Sequence, residues 1–246
     1  MNEKLLAVFA HPDDETFRPG GTLALLAKKG VSVQVMTVTR GQAGSCGDPP
    51  VCMPEELPAV RERELNCACA ALGILPPRIL DYVDGSLAHS DPQQLLADIL
   101  AVIKEFQPQV ILSFGLDGLS GHLDHIGVGC AARAAFLQCQ TVSALYTLAL
   151  PLYLAQEMKL SNMRPVPDEK ITLTVDVLSV WEMKKAAIGC HVSQLSSTPL
   201  LGEAEERQKV FFGTEFFIRT AQRDQYGDFF TRYLRAKLPG RNAYIE

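Results

Sequence analysis

The sequence lacks the features that mark two common classes of binding protein. Among its 246 residues, the 23 lysines and arginines are scattered singly against 28 acidic residues, and the formal net charge is −5. A nucleic-acid-binding surface needs a basic stripe, so we expect no nucleic-acid partner. No apolar run approaches the roughly 20 residues of a membrane span. The opening MNEKLLAVFAHP has a short apolar run without a small-residue cleavage site, so we expect no signal peptide.

Cysteine usage excludes a structural zinc site. The seven cysteines do not show the C-x2-4-C pairs that such sites use. The five cysteines from Cys67 to Cys190 lie among alanines and other apolar residues, which favours reduced, buried cysteines in a cytoplasmic protein. Cys46 and Cys52 bracket a short loop, and the sequence leaves open whether they pair.

Short apolar runs alternate with longer segments of helical period, and no repeat or low-complexity linker divides the chain. We predict strands at Leu5–Ala10, Val31–Thr39, residues 78–85, Val110–Phe114, Ala144–Leu150 and Ile171–Val175. We predict helices at Gly20–Lys29, before Gly73, at Asp91–Phe106, from His125 onward and at Val177–Ile188. This alternation predicts an α/β, Rossmann-like fold, with a mainly parallel sheet and helices on both faces. We expect a single domain over residues 1–246.

Two clusters of histidines and carboxylates follow predicted strands. HPDDE, from His11 to Glu15, comes directly after the first strand, and HLDH, from His122 to His125, follows the mid-chain strand. The carboxyl ends of parallel strands open on the same edge of a sheet, so we expect both clusters in one crevice. Two histidines and a carboxylate with an open position are a usual ligand set for a catalytic zinc.

The residue types and their spacing assign some roles and leave others open. His11 and Asp14 are three residues apart, so one turn can aim both at one ion. Spacing alone does not decide whether His122 or His125 completes the set. Asp13 could take a proton from a water whose pKa zinc lowers to about 7. The alternative is that HPDDE is a solvated turn that caps the next helix.

Together these residues resemble a known family. AHPDDE followed by GG, with GHLDH after a mid-chain strand, is similar to the PIG-L/LmbE family of zinc-dependent deacetylases. Supporting segments are TVTRGQAGS, the R-x-x-E-L run at Arg61, YVDG and HVSQ, so the resemblance spans about Leu5 to Gln194. Members of that family remove acetyl groups from N-acetylglucosaminyl lipids and from thiol-glycoside precursors.

The resemblance implies a role for each site residue. The implied zinc ligands are His11, Asp14 and His125. Asp13 would be the general base, and His122 would stabilise the oxyanion or protonate the leaving amine, helped by Asp124. From the residues alone, Asp124 could hold a histidine in one tautomer.

Other positions are less determined. Arg61 resembles an arginine that reaches the substrate, although a solvent-facing arginine is the alternative. Some members place a tyrosine where this chain has Ser120, so His122 would act without it. Glu15 could support a ligand or cap the helix, and His191 could line the substrate mouth or be a locally satisfied loop residue.

The sequence therefore predicts a zinc-dependent hydrolase that removes acetyl from an N-acetylated sugar or related acetamide by metal-activated water. Its partner would be a small N-acetylated glycoside, and a homo-oligomer is a reasonable expectation. Fe²⁺ or another divalent ion suits the same ligands. The alternatives are an amidase acting on a larger thiol-glycoside or S-conjugate, and a non-catalytic metal- or ligand-binding α/β module. A nucleotide-binding module is the weakest, since no G-x-G-x-x-G follows the first strand.

Overall fold

The computed structural model describes residues 3–223, 228–234 and 236–237. The strands are β1 (Lys4–Phe9), β2 (Ser32–Thr39), β3 (Arg78–Tyr82), β4 (Val110–Ser113), β5 (Ala144–Leu148), β6 (Leu173–Asp176), β7 (Thr214–Gln222) and β8 (Ala236–Lys237). The helices are α1 (Asp14–Phe17), α2 (Gly20–Lys28), α3 (Leu57–Leu72), α4 (Pro92–Phe106), α5 (Gly118–Gly121), α6 (Leu123–Gln138), α7 (Leu152–Glu157), α8 (Trp181–Cys190), α9 (Glu205–Phe212) and α10 (Phe229–Tyr233).

The eight strands of the described residues form one sheet in the order β3-β2-β1-β4-β5-β7-β6-β8. The pairs from β3 to β5 are parallel, and β7, β6 and β8 join antiparallel. The predicted α/β fold with a mainly parallel sheet is confirmed. Strand order reverses at β1, whose neighbours are β2 and β4, and ligands bind at such a switch point, outside the carboxyl ends of the strands. The two predicted clusters follow β1 and β4, which are adjacent strands at this switch point.

Local signals explain several element ends. α3 stops at Gly73, whose φ of 70° is the left-handed conformation that glycine adopts without a Cβ clash. α4 begins after Asp91, whose carboxylate accepts a hydrogen bond from Gln93 N at 2.9 Å. β7 is absent from our predicted strands because its apolar residues form only a short run after Gly213.

The core lies on both faces of the sheet. β1 is almost wholly buried, which accounts for its unbroken apolar run rather than an alternating one. Helices α2, α3 and α8 pack together, and α4 packs against α6. Among the described residues, no helix has the length and apolar character needed to cross a membrane.

One disulfide corrects the cysteine prediction. Cys67 of α3 and Cys190 of α8 are bonded, with Cα atoms 5.8 Å apart. The expectation of reduced, buried cysteines is wrong for this pair, because two helices distant in sequence pack side by side. Cys46 and Cys52 are free, as is Cys130, which is exposed rather than buried.

Candidate metal centre

The HPDDE loop after β1 and the start of α6 bring three side chains together at the switch point. His11 Nδ1 lies 3.3 Å from His125 Nε2. An Asp14 carboxylate oxygen lies 3.4 Å from His125 Nε2, and the other lies 3.7 Å from His11 Nδ1. The expected convergence of the two clusters is therefore present in the structure.

The hydrogen bonds of His11 Nε2 and His125 Nδ1 determine which nitrogen of each ring has a free lone pair. His11 Nε2 faces two carboxylates, Asp84 at 2.9 Å and Asp124 at 3.3 Å, so its proton belongs there. His125 Nδ1 lies 3.1 Å from the carbonyl oxygen of Gly118, which can only accept, so this nitrogen also carries a proton. When both rings are neutral, His11 Nδ1 and His125 Nε2 therefore carry no proton, and their lone pairs face each other beside the Asp14 carboxylate.

This arrangement fits a divalent cation. If both rings are neutral, two imidazole lone pairs and a carboxylate lie within 3.3–3.7 Å of one another with no hydrogen between them, and a divalent cation would relieve their repulsion. Imidazole and carboxylate together suit zinc or iron. Burial lowers the pKa of His11, but hydrogen bonds to Asp124 and Asp84 outweigh it and raise the pKa to about 10, so a cation that binds at Nδ1 would displace a proton from this ring. Burial lowers the pKa of His125, which favours the neutral form that a metal needs.

Asp84 and Asp124 contact His11 at Nε2, the ring nitrogen that faces away from His125. Although burial raises it, the pKa of Asp84 falls to about 2 because His11 bonds to it. The Asp124 carboxylate also accepts hydrogen bonds from Gly85 N at 2.7 Å and Leu87 N at 3.1 Å, which ties the YVDG loop to the centre. A carboxylate on the far nitrogen of a ligating histidine fixes the ring orientation and its tautomer. We had not predicted a role for Asp84, although YVDG follows β3 at the same edge of the sheet.

His122 is exposed beside the cluster. Its Nδ1 accepts a hydrogen bond from Asp124 N at 3.2 Å and so caps α6. A neutral ring in this state carries its proton on Nε2. The ring centroid lies 4.9 Å from that of His11 and 4.8 Å from that of His125, so a proton donor adjoins the candidate metal centre.

Asp13 is held in a strained conformation. Its φ of 102° lies in the left-handed region, where residues other than glycine are rare. Its amide donates to Glu15 Oε2 at 2.9 Å, which stabilises the turn. Burial raises the pKa of Asp13 to about 7, and the charge of Asp14 adds to the rise while that of Arg61 opposes it.

Arg61 is buried, and both of its terminal nitrogens are hydrogen-bonded, while its Nε has no hydrogen-bond partner among the described residues. Its guanidinium donates to the carbonyl oxygens of Gly41 and Pro12 and to Asp13 Oδ2, the last at 2.9 Å. The solvent-facing alternative is wrong, because α3 carries the side chain inward. The two terminal nitrogens are therefore occupied by two loops, the one that carries Asp13 and the one that carries Gly41.

The two undetermined residues lie beneath the site. Glu15 and His191 are fully buried, and His191 Nε2 lies 2.7 Å from Glu15 Oε1. Glu15 therefore links the HPDDE loop to the end of α8. His191 does not line a mouth, and it is not satisfied locally, since its partner Glu15 lies 176 residues away in sequence. Nearby, the Glu64 carboxylate accepts hydrogen bonds from the backbone and hydroxyl of Ser193, both at 2.7 Å.

Two imidazoles and a carboxylate at the switch point of an α/β sheet define a hydrolase-type metal centre. The family model for PIG-L, described as GlcNAc-PI de-N-acetylase, matches residues 6–136, more than half of the chain. This chain belongs to the PIG-L family, which confirms the resemblance. It is similar to 1D-myo-inositol 2-acetamido-2-deoxy-alpha-D-glucopyranoside deacetylase of Rhodococcus opacus (strain B4), at 31% identity over 81% of this chain and 84% of that one.

Solved structures support the fold. N,N'-diacetylchitobiose deacetylase from Pyrococcus horikoshii matches 87% of this chain and 82% of its own, with a TM-score of 0.66 and 24% identity. GalB, a 4-carboxy-2-hydroxymuconate hydratase from Pseudomonas putida KT2440, matches 92% of this chain and 99% of its own, with a TM-score of 0.67 and 21% identity. Since these two proteins are named for different reactions, the fold alone does not define the chemistry.

Proposed function

We propose that this protein is a zinc-dependent hydrolase that removes the acetyl group from an N-acetylated sugar or a related acetamide. The observation that carries the proposal is the convergence of two imidazole nitrogens and the Asp14 carboxylate beside the half-buried carboxyl of Asp13. The Rhodococcus opacus relative, named as the deacetylase of an acetamido sugar, supports the acetamide as the bond that is cleaved.

Three residues would hold the cation: His11, Asp14 and His125. When bound, the cation would polarise the amide carbonyl and make a nearby water more acidic. Asp13 takes a proton from that water, and a carboxyl pKa near neutrality suits a base that must later release the proton. Arg61 holds Asp13 in position through its hydrogen bond to Oδ2.

His122 acts on the carbonyl oxygen or the amine nitrogen of the amide. Its Nε2–H donates to the carbonyl oxygen as that oxygen gains charge, or to the nitrogen of the leaving amine. The Asp124 amide fixes the His122 ring by its hydrogen bond to Nδ1, while the Asp124 carboxylate holds His11. Ser120 stands where some relatives have a tyrosine, so His122 is the donor that we assign to this step.

Zinc is preferred over iron because the set of two histidines and one carboxylate is a usual one for catalytic zinc. We also propose that residues 1–246 act as one domain, that the enzyme works in the cytoplasm and that it assembles as a homo-oligomer. The alternative substrate, a larger thiol-glycoside or S-conjugate, would use the same metal ligands.

Acetate release from an N-acetylglucosamine compound tests the proposal. We expect activity that a chelator abolishes and zinc restores, and loss of activity in His11→Ala and His125→Ala. Asp13→Asn should lower kcat by about 10²- to 10⁴-fold, the usual contribution of a general base. The control is Asp81→Asn, an exposed carboxylate of β3. Activity that survives chelation or His11→Ala contradicts the proposal.

A further inference from the structure

A cavity of about 470 Å³ opens beside the candidate metal centre, and Asp14 and His125 form part of its wall. A cavity of this size holds a group far larger than acetyl. Most of its lining is apolar, including Phe17, Phe114, Leu160, Met163 and Phe212. Polar side chains such as Ser120 and Asn162 complete the wall, and the apolar part of the lining favours a ligand that has an apolar segment.

A buried arginine also lines this cavity. Arg18 follows the HPDDE motif, is 8% exposed, and stacks with its guanidinium carbon 3.9 Å from the centre of the Phe211 ring. Its Nη2 is buried and has no hydrogen-bond partner among the residues that the structure describes. Burial lowers the pKa of Arg18 to about 10, so the side chain keeps its charge at neutral pH.

The neighbouring carboxylate is already engaged. Glu215 Oε1 accepts hydrogen bonds from Lys184 Nζ at 2.6 Å and from Gly21 N at 2.8 Å. Its Oε2 accepts from Thr22 N at 2.7 Å. Against the effect of burial, the charge of Glu215 raises the pKa of Arg18, but the oxygens of Glu215 bond to Lys184 and to the start of α2. Arg18 and Lys184 therefore share one carboxylate, which leaves one positive charge in excess. An unpaired charge in an apolar wall is costly unless a ligand pairs with it.

We propose that this cavity is a substrate subsite for an apolar arm that ends in a carboxylate, which pairs with Arg18. The inference rests on the proposed function, since that function puts the amide at the adjacent metal centre. Among the described residues that line the cavity, Arg18 is the one arginine or lysine, and a single guanidinium matches a single negative charge better than a phosphate dianion.

The direct test is calorimetric titration of the zinc-loaded protein with phenylbutanoate and with its neutral analogue phenylbutanol. Arg18→Gln should weaken phenylbutanoate binding by about tenfold or more, the value of a charge-assisted hydrogen bond, and leave phenylbutanol binding unchanged. Arg18→Lys should retain part of the preference for the anion. The matched control is Arg207→Gln on α9, an exposed arginine paired with Glu203 at 4.0 Å, which should bind as the wild type does.

Two results would overturn the subsite. Phenylbutanoate could bind equally to the wild type and Arg18→Gln, which would put its carboxylate elsewhere, such as at the metal centre. Alternatively, neither compound could bind the wild type. Thermal unfolding midpoints of all variants show whether a lost affinity reflects lost folding. Acetate release is measured separately, so a protein that binds through Arg18 without hydrolysis contradicts the proposed function, not the subsite.

Two synthetic amide substrates would show whether the carboxylate-ended arm belongs to the acyl side or to the amine side of the amide. One amide carries the carboxylate-ended arm in its acyl group and a second carries it on its amine, each compared with an uncharged analogue by kcat/KM. A preference for the charged compound in the wild type, lost in Arg18→Gln, supports the subsite on the side concerned. No preference on either side contradicts it.

Discussion

A carboxylate oxygen of Asp84 lies 2.9 Å from Nε2 of His11, on the ring nitrogen opposite the one that faces His125. The hydrogen bond directs the Nδ1 lone pair toward Asp14 and His125. A residue from the loop after β3 therefore orients a ligand that follows β1, and both strands end at the same edge of the sheet.

Asp84→Asn should weaken metal binding without removing a ligand. Changes of such supporting carboxylates typically cost about 10- to 100-fold in metal affinity. Competition with a chromophoric chelator measures the dissociation constant. Asp98→Asn, whose side chain bonds to Tyr82 on the same region of the surface, serves as the control. Equal zinc affinity in Asp84→Asn and the wild type would contradict the role of Asp84 in orienting His11.

Gly41→Ala should displace Arg61. A Cβ on Gly41 would lie 2.1 Å from Arg61 Nη1, and the residue has a φ of +66°. Because Arg61 holds Asp13, we expect kcat to fall by about tenfold or more, a part of the roughly 10²- to 10⁴-fold contribution of a general base. Gly30→Ala is a matched control, since Gly30 has a φ of +85° and open space around it. It should lose about 1–2 kcal/mol of stability from the left-handed backbone and keep its kcat. An unchanged kcat in folded Gly41→Ala would contradict this role of Arg61.

The pair of His191 and Glu15 makes stability depend on pH. Burial lowers the pKa of His191, but Glu15, Asp13 and Glu64 outweigh it and raise the pKa above its usual 6.5. Protonation is thus favoured in the folded state, so this stabilisation is complete below pH 6.5 and is lost as pH rises through the folded pKa.

Chemical denaturation of His191→Gln and the wild type at several pH values tests this dependence. The difference in unfolding free energy should be largest in mildly acidic solution and shrink toward alkaline pH. His89→Gln changes an exposed histidine and should show no such trend. A difference that grows with pH would mean that His191 is buried in its neutral form.

The disulfide between Cys67 and Cys190 should stabilise the packing of α3 on α8. It joins residues 123 apart in sequence. Loss of such a bridge typically costs about 2–5 kcal/mol. We expect Cys67→Ser to lose unfolding free energy in that range and Cys130→Ser, an exposed free cysteine, to lose almost none. Alkylation of all seven cysteines in the unreduced, unfolded chain would show that the bond is absent.

The parallel half of the sheet and the meeting of the two motifs followed from the sequence. Each motif comes directly after an apolar strand, and parallel strands open at one edge. Asp84 had the same signal, since YVDG follows β3. Arg18 had none, because its neighbours Phe211 and Glu215 lie far along the chain. Packing between distant helices also brings Cys67 to Cys190.

Metal content of the purified protein tests the central claim most directly. The lone pairs of His11 Nδ1 and His125 Nε2 and the carboxylate of Asp14 should together hold one divalent ion. Elemental mass spectrometry after reconstitution with zinc and gel filtration should find about one zinc per wild-type chain. The His125→Ala protein should hold far less. A folded wild-type protein that retains no metal after reconstitution would contradict the account.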